Sequence, residues 1–212
     1  ILVCLVGSEM CIRDRLIGNV ASPYTRKMVA YLRYKRIPYE VFWGQPEDIL
    51  TSMNIEAPKP ILLPVFILDR DGQATAVTDS TPLIREFEDK YPDRSVLPNN
   101  PALNFINFVL EDFGDEWCTK FMFHYRWHFD EDADNAGTIL PLGINSNLKD
   151  DELAFFKEHF AKRQIDRLWV VGSNNDTAEF IDNSYKKVLT IFEEHFKDCL
   201  LYTSDAADDT CC

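Results

Sequence analysis

The feature that most constrains this chain is a change of hydrophobic rhythm near residue 92. Before it, short apolar runs alternate with helix-like segments. After it, every long segment carries helical periodicity. The break is the stretch 92–101, rich in Pro, Asn and charge, which reads as a linker. Strands alternating with helices cannot close into a bundle, and a run of helices cannot extend a sheet. The pattern therefore predicts two domains of different class.

The first domain is expected over 16–92. Leu16–Val20 is a short apolar run with strand character. Ser22-Pro23 reads as a helix start, with Ser at the cap and Pro at the first helical position. The helix continues over Thr25–Lys35 and stops at Ile37-Pro38. Tyr39–Trp43 alternates like a strand, and Pro46–Asn54 is either a short helix or irregular. Leu63-Pro64 introduces the apolar strand Val65–Leu68. Asp71-Gly72 is a tight hairpin turn, and Ala74–Thr78 is the returning strand. Asp79-Ser80-Thr81-Pro82 opens another helix that ends near Tyr91. The order is β-α-β-(α)-β-β-α, with a parallel crossover first and an antiparallel hairpin last, hence a mixed sheet. The second domain is expected over 102–198. Ala102–Phe129 is one long helix or two joined near Gly114, Asp130–Asn147 is an acidic loop, and Lys149–Val170 and Thr177–Phe196 are helices.

Charge excludes several functions. Lys and Arg number 22 against 35 Asp and Glu, a net charge of −13. Nucleic acid and anionic membrane are poor partners for such a surface. No run approaches the ~20 apolar residues of a membrane helix. Five of the six cysteines lie near the ends, and only Cys118 is in the body, the usage of a reducing compartment and hence a cytoplasmic location. The ends stand apart. LVGSEMCIRDR from Leu5 and LLYTSDAADD from Leu200 resemble translated sequencing adapters more than a signal peptide or a structural element. Residues 1–15 and 199–212 are accordingly read as non-native, and the helical domain as truncated.

Three local patterns carry a family resemblance: Ser-Pro-Tyr-Thr-Arg-Lys (22–27), Leu63-Pro64 before a strand, and Asp79-Ser80 opening a helix. In this order and spacing they resemble the glutathione transferase family, as does Ile37-Pro38-Tyr39-Glu40, where Arg36 stands in place of the usual Gly. The resemblance implies a thioredoxin-like first domain followed by an all-α second domain. It also implies conjugation of the glutathione thiolate to a small hydrophobic electrophile, a detoxifying reaction needing no metal or further cofactor, in a homodimer. Ser22 would then be catalytic. Free thiols ionise near ~8.5, and a donated hydroxyl plus a helix N-terminus both favour the thiolate. Leu63, preceding a cis Pro64, would pair its backbone with the cysteinyl part. Asp79, shorter than the commoner Glu, and Ser80 would hold the γ-glutamyl end. Tyr24, Phe113 and Trp117 are candidates for the electrophile pocket, and Tyr24 is the alternative thiol partner. No Cys stands at 22, 24 or 25, so the disulfide chemistry of Cys-type members is not expected.

Other readings stay open. Ser22 and Asp79 could be plain helix caps, and the fold could serve as a non-catalytic binding or interaction protein. Asp112, Glu116, Lys120, His124 and His128 recur every four residues, which is a polar stripe and, in the rival reading, a metal site. The stripe is taken as solvated or cleft-facing. The acidic run from Asp130 lacks calcium-loop spacing. No G-x-G-x-x-G follows a strand, which disfavours a dinucleotide oxidoreductase.

Overall fold

The computed structural model describes residues 14–203, with side chains to 197; of the adapter-like strings, 5–13 and 204–209 lie outside this span. The first domain contains β1 (Asp14–Gly18), α1 (Pro23–Lys35), β2 (Tyr39–Trp43), α2 (Pro46–Ser52), β3 (Val65–Arg70), β4 (Gln73–Val77) and α3 (Ser80–Lys90). The sheet order is β2-β1-β3-β4. β1 and β2 run parallel, Leu16 opposite Val41. β3 is antiparallel to both β1 and β4, Leu16 opposite Phe66 and Phe66 opposite Val77. The expected crossover and hairpin are both present. β1 starts two residues earlier than the run Leu16–Val20 suggests. Asp14 is buried there because its carboxylate accepts from Tyr91 Oη at 3.1 Å and pairs with Lys90.

The strand period of two sorts the core onto two faces. Leu16, Phe66 and Leu68 pack with Met28 and Leu32 of α1 and with Leu83, Ile84 and Phe87 of α3. Ile17, Val65 and Ile67 point the other way, onto Leu50 of α2. On the first of these faces a buried ion pair ties α1 to α3: Lys35 Nζ lies 2.9 Å from Glu88 Oε1, with side chains 0% and 5% exposed. Tyr31 Oη also donates to Glu88 at 2.8 Å. The linker is pinned by the same carboxylate, which accepts from Val96 N–H at 3.1 Å.

The second region is helical throughout: α4 (Pro101–Asp112), a π-helical stretch (Phe113–Cys118), α5 (Thr119–Trp127), α6 (Asp130–Ile144), α7 (Asp150–Ile165), a 3₁₀ turn (Leu168–Val171) and α8 (Ala178–Thr203). The join expected near Gly114 is the π-helical stretch. The acidic segment read as a loop is instead α6. Asp130, Glu131 and Asp132 fall in its first turn, where the helix N-terminus favours negative charge. Gly137, which suggested a loop, allows close approach to α7: a Cβ there would lie 3.1 Å from Lys157 Cγ. Trp127, Ala133 and Ala136 form the small core of this region. α4 buries no residue and exposes Leu103, Phe105, Ile106, Phe108 and Val109.

Candidate active site

The site begins where β1 meets α1. Gly18 ends the strand against Thr25, and a Cβ at Gly18 would lie 2.4 Å from Thr25 Cγ2, so only glycine permits this approach. The chain turns through Asn19–Ala21 and enters α1 with Ser22 as N-cap. Ser22 Oγ accepts from the Thr25 N–H at 3.2 Å, which leaves the hydroxyl proton free to donate elsewhere. Ser22 is half-buried.

A second edge comes from the segment before β3. The Leu63–Pro64 peptide is cis, as is Lys59–Pro60. Pro64 is buried and Leu63 half-buried. Among the described residues neither the N–H nor the C=O of Leu63 has a partner. The third edge is the start of α3. Asp79 is its N-cap, with φ +81° and ψ +115°, a conformation that L residues rarely adopt. Its carboxylate makes one long bond, from Thr81 N–H at 3.4 Å, and is otherwise exposed. Strained backbone of this kind collects at functional sites.

These edges converge. Ser22, Tyr24, Leu63, Asp79 and Ser80 line one cleft of about 510 Å³, closed on its far side by Asp115 and Glu116 of the π-helical stretch. Five of the residues singled out in the sequence thus meet in one place. Phe113 and Trp117 do not line it. Trp117 is 56% exposed, with Lys120 Nζ over its ring at 4.3 Å. Tyr24 Oη donates to the Asp115 carbonyl at 2.8 Å, and burial pushes its pKa up, so its proton is already held.

An ionic group that sequence reasoning missed lies behind the cleft. Lys27 Nζ is 2.9 Å from Glu111 Oε1 and 2.6 Å from Asp115 Oδ2, and donates to Ser80 Oγ at 3.2 Å. Thr81 Oγ1 donates to Glu111 at 3.0 Å, and Arg85 reaches the same carboxylate. Burial alone would raise the Glu111 carboxyl. The Lys27 hydrogen bond and charge, with Thr81 and Arg85, hold it below its ordinary value. The only early signal was Lys27 in the Ser-Pro-Tyr-Thr-Arg-Lys string, four residues before Tyr31 on a largely apolar face. Among the described residues no Lys or Arg lines the cleft itself.

The polar stripe of the long helix holds to Lys120 and breaks at His124. Asp112, Glu116 and Lys120 are exposed before, within and after the π-helical stretch, and Glu116 lines the cleft. His124 is fully buried rather than solvated, with Nδ1 2.8 Å from Ser173 Oγ and its ring stacked on His128. Among the described residues no group of three or more His, Cys, Asp or Glu is placed to hold a metal. Cys118 is half-buried, and burial pushes its thiol up. No described helix is long and apolar enough to cross a membrane.

A family model for the glutathione S-transferase N-terminal domain matches residues 16–95. The beta-etherase LigF from Sphingobium sp. strain SYK-6 is 20% identical, with a TM-score of 0.55 over 88% of this chain and 74% of that one. A glutathione S-transferase from Methylobacterium radiotolerans, in complex with glutathione sulfonate, is 23% identical over 73% of this chain and 62% of its own, with a TM-score of 0.44. One from Rhodospirillum rubrum F11 is also 23% identical, over 71% of this chain and 62% of its own, again with a TM-score of 0.44. The chain thus spans 62% of the length of these two transferases. No curated protein matches it. Residues 16–95 thus match the N-terminal domain of glutathione S-transferases, and the chain has the expected mixed sheet with a helical region after it.

Proposed function

We propose that the chain is a glutathione transferase, conjugating the glutathione thiolate to a small electrophile. The observation that carries this reading is the meeting of Ser22, Leu63, Asp79 and Ser80 in one cleft. In it the cysteinyl backbone pairs with the free N–H and C=O of Leu63. The γ-glutamyl ammonium donates to the Asp79 carboxylate, and its carboxylate accepts from the start of α3 beside Ser80. The sulfur then lies at the start of α1, where the free Ser22 proton and the helix terminus favour the thiolate. The sulfur attacks the electrophilic carbon and the leaving group departs with its electron pair. No residue needs to change oxidation state. The exposed apolar face of α4 is consistent with a homodimer, and a cytoplasmic setting suits the isolated thiol Cys118.

A second reading, a non-catalytic binding or interaction protein, is favoured by one observation. Asp79, Asp115 and Glu116 line the cleft, and among the described residues no cationic side chain lines it with them, Lys27 being held behind it by Glu111 and Asp115, although glutathione is an anion. Calorimetric titration of glutathione separates the two. The transferase reading expects binding that weakens at least about tenfold, 1.4 kcal/mol, in Asp79→Ala. Absence of binding to a protein with a cooperative thermal melt supports the second reading instead.

A further inference from the structure

A second cavity, of about 510 Å³, lies among α5, α6 and α8, and Arg126 links it to the Ser22 turn. Met122, Tyr125 and Arg126 line it from the α5 side, Asn135 and Ile139 from α6, and Tyr185 from α8. Arg126 is half-buried, and its Nη2 donates to the Ala21 carbonyl at 3.0 Å, one residue from Ser22. That bond occupies one of the five N–H donors of a guanidinium. Among the described residues no carboxylate lies within the 4.0 Å of an ion pair with it. Asp132, also on the cavity, is exposed at its rim. Asp182 is satisfied elsewhere, by Lys186 at 2.6 Å and by Tyr125 Oη at 2.7 Å.

This is an unusual state for an arginine. Arg126 is half-buried, so it bears part of the desolvation cost that buried cations offset by pairing. Burial already pulls the guanidinium below its usual value. In a chain carrying −13, no carboxylate among the described residues is paired with it. Tethering α5 to the Ala21 carbonyl requires a single donor and no charge. The remaining donors face a cavity with apolar walls from Met122 and Ile139 and amide capacity from Asn135. Such a cavity suits a small, largely apolar molecule with one oxyanion.

We propose that Arg126 is the anion-recognising group of a subsite for small aromatic carboxylates. Resting on the transferase reading, that ligand is the electrophile, its carboxylate held by the arginine that is bonded one residue from Ser22. With 4-chloro-3-nitrobenzoate the step balances simply. The thiol proton goes to solvent, the sulfur–carbon bond forms, the carbon–chlorine bond breaks, and chloride leaves with the electron pair.

The test uses the full chain and calorimetric titration of benzoate against benzamide, its neutral counterpart of the same shape. The subsite expects benzoate to bind at least tenfold more tightly, and Arg126→Gln to erase that preference. Arg126→Lys, which keeps a cation without the planar fork, retains part of it. Ile139→Trp fills the cavity without touching the arginine and weakens benzoate tenfold or more. Equal binding of the two probes by the unsubstituted protein, or a preference that survives Arg126→Gln, overturns the subsite. A glutathione titration on the same sample keeps the claims apart. Glutathione binding without benzoate preference sinks the subsite and spares the glutathione site. Benzoate preference without glutathione binding supports the subsite and removes conjugation as its purpose. Where both bind, Arg126→Gln lowers kcat/KM for 4-chloro-3-nitrobenzoate at least tenfold more than for 1-chloro-2,4-dinitrobenzene, and an equal fall refutes the assignment.

Discussion

Ser22→Ala should separate two roles that one hydroxyl fills. The first is structural. Ser22 Oγ accepts from Thr25 N–H at 3.2 Å, and losing such a cap costs about 1 kcal/mol of stability. The second is chemical. A hydrogen bond to a charged sulfur contributes about 1.5–3 kcal/mol, and each pKa unit is about 1.4 kcal/mol. The bound thiol should therefore ionise about one to two units higher in the variant. Starting from a site that lowers the free value of ~8.5 by ~2 units, the variant approaches the behaviour of free glutathione. The ultraviolet absorbance of the thiolate, followed against pH on the binary complex, reads the shift directly. Turnover of 1-chloro-2,4-dinitrobenzene should fall by roughly ten- to a thousandfold near neutral pH, and the deficit should shrink as pH rises. Ser22→Asp is the control. It caps the helix as well as Ser but sets a negative charge beside the sulfur, so stability should hold while the thiol pKa rises further. An unchanged thiol pKa in Ser22→Ala would refute the assignment, and Tyr24 would then have to give up its bond to Asp115.

Four further outcomes follow from the same geometry. Glu88→Ala strands the Lys35 ammonium, whose side chain is 0% exposed, and urea denaturation should show a loss of about 3–5 kcal/mol; a loss under about 1 kcal/mol would mean the pair is solvated. Burial by itself would raise Glu88, but bonds from Ser95, Lys35 and Tyr31 hold it below the ordinary carboxylate value. Its contribution is therefore complete above the unfolded pKa of about 4.3 and lost as pH falls through the folded value, which urea midpoints across acid pH will follow. His124 is lowered by burial and by the charge of His128, partly offset by Asp182, so its contribution is complete above about 6.5 and lost below; thermal midpoints should drop on acidification, and His124→Gln should flatten that drop. Lys27→Met removes the bonds to Glu111, Asp115 and Ser80 together. It should cost about 1–3 kcal/mol in urea and weaken glutathione binding in the same sample, and intact binding would show that Ser80 needs no support from Lys27.

The first domain was legible because its signals are local. Ser22-Pro23 starts a helix by its own chemistry, Asp71-Gly72 turns a hairpin within two residues, and Val65–Leu68 is apolar on both faces because both faces are covered. The site residues were legible for a related reason: each sits at the end of an element whose boundary is written in the adjacent residues. Misreadings arose where local and tertiary signals conflict. Asp130–Ile144 contains the charge, Gly and Pro of a loop, but the charge serves the helix N-terminus and Gly137 serves contact with α7. The polar stripe broke at His124 because Ser173, 49 residues further on, packs against its ring nitrogen, a contact that no spacing announces. Contacts such as Tyr24 to Asp115, 91 residues apart, leave no mark on either local pattern.

Those long-range contacts decide how the cleft is held. α4 buries nothing, so apolar packing does not fix it against the first domain. Instead Tyr24, Lys27 and Thr81, from the first turns of α1 and α3, reach Glu111 and Asp115 through hydrogen bonds of 2.6 to 3.0 Å. The same two helix starts carry Ser22 and Asp79. The far wall of the cleft is thus attached to the residues that would hold the tripeptide, through half-buried polar groups rather than a core. Such bonds are worth about 1–3 kcal/mol each where a charge takes part, are directional, and are weakened by salt and acid. Fixing the wall by direction rather than by volume lets Asp115 and Glu116 keep a defined distance from Ser22 while the space between them stays open for a ligand. An apolar junction of the same strength would have to fill that space.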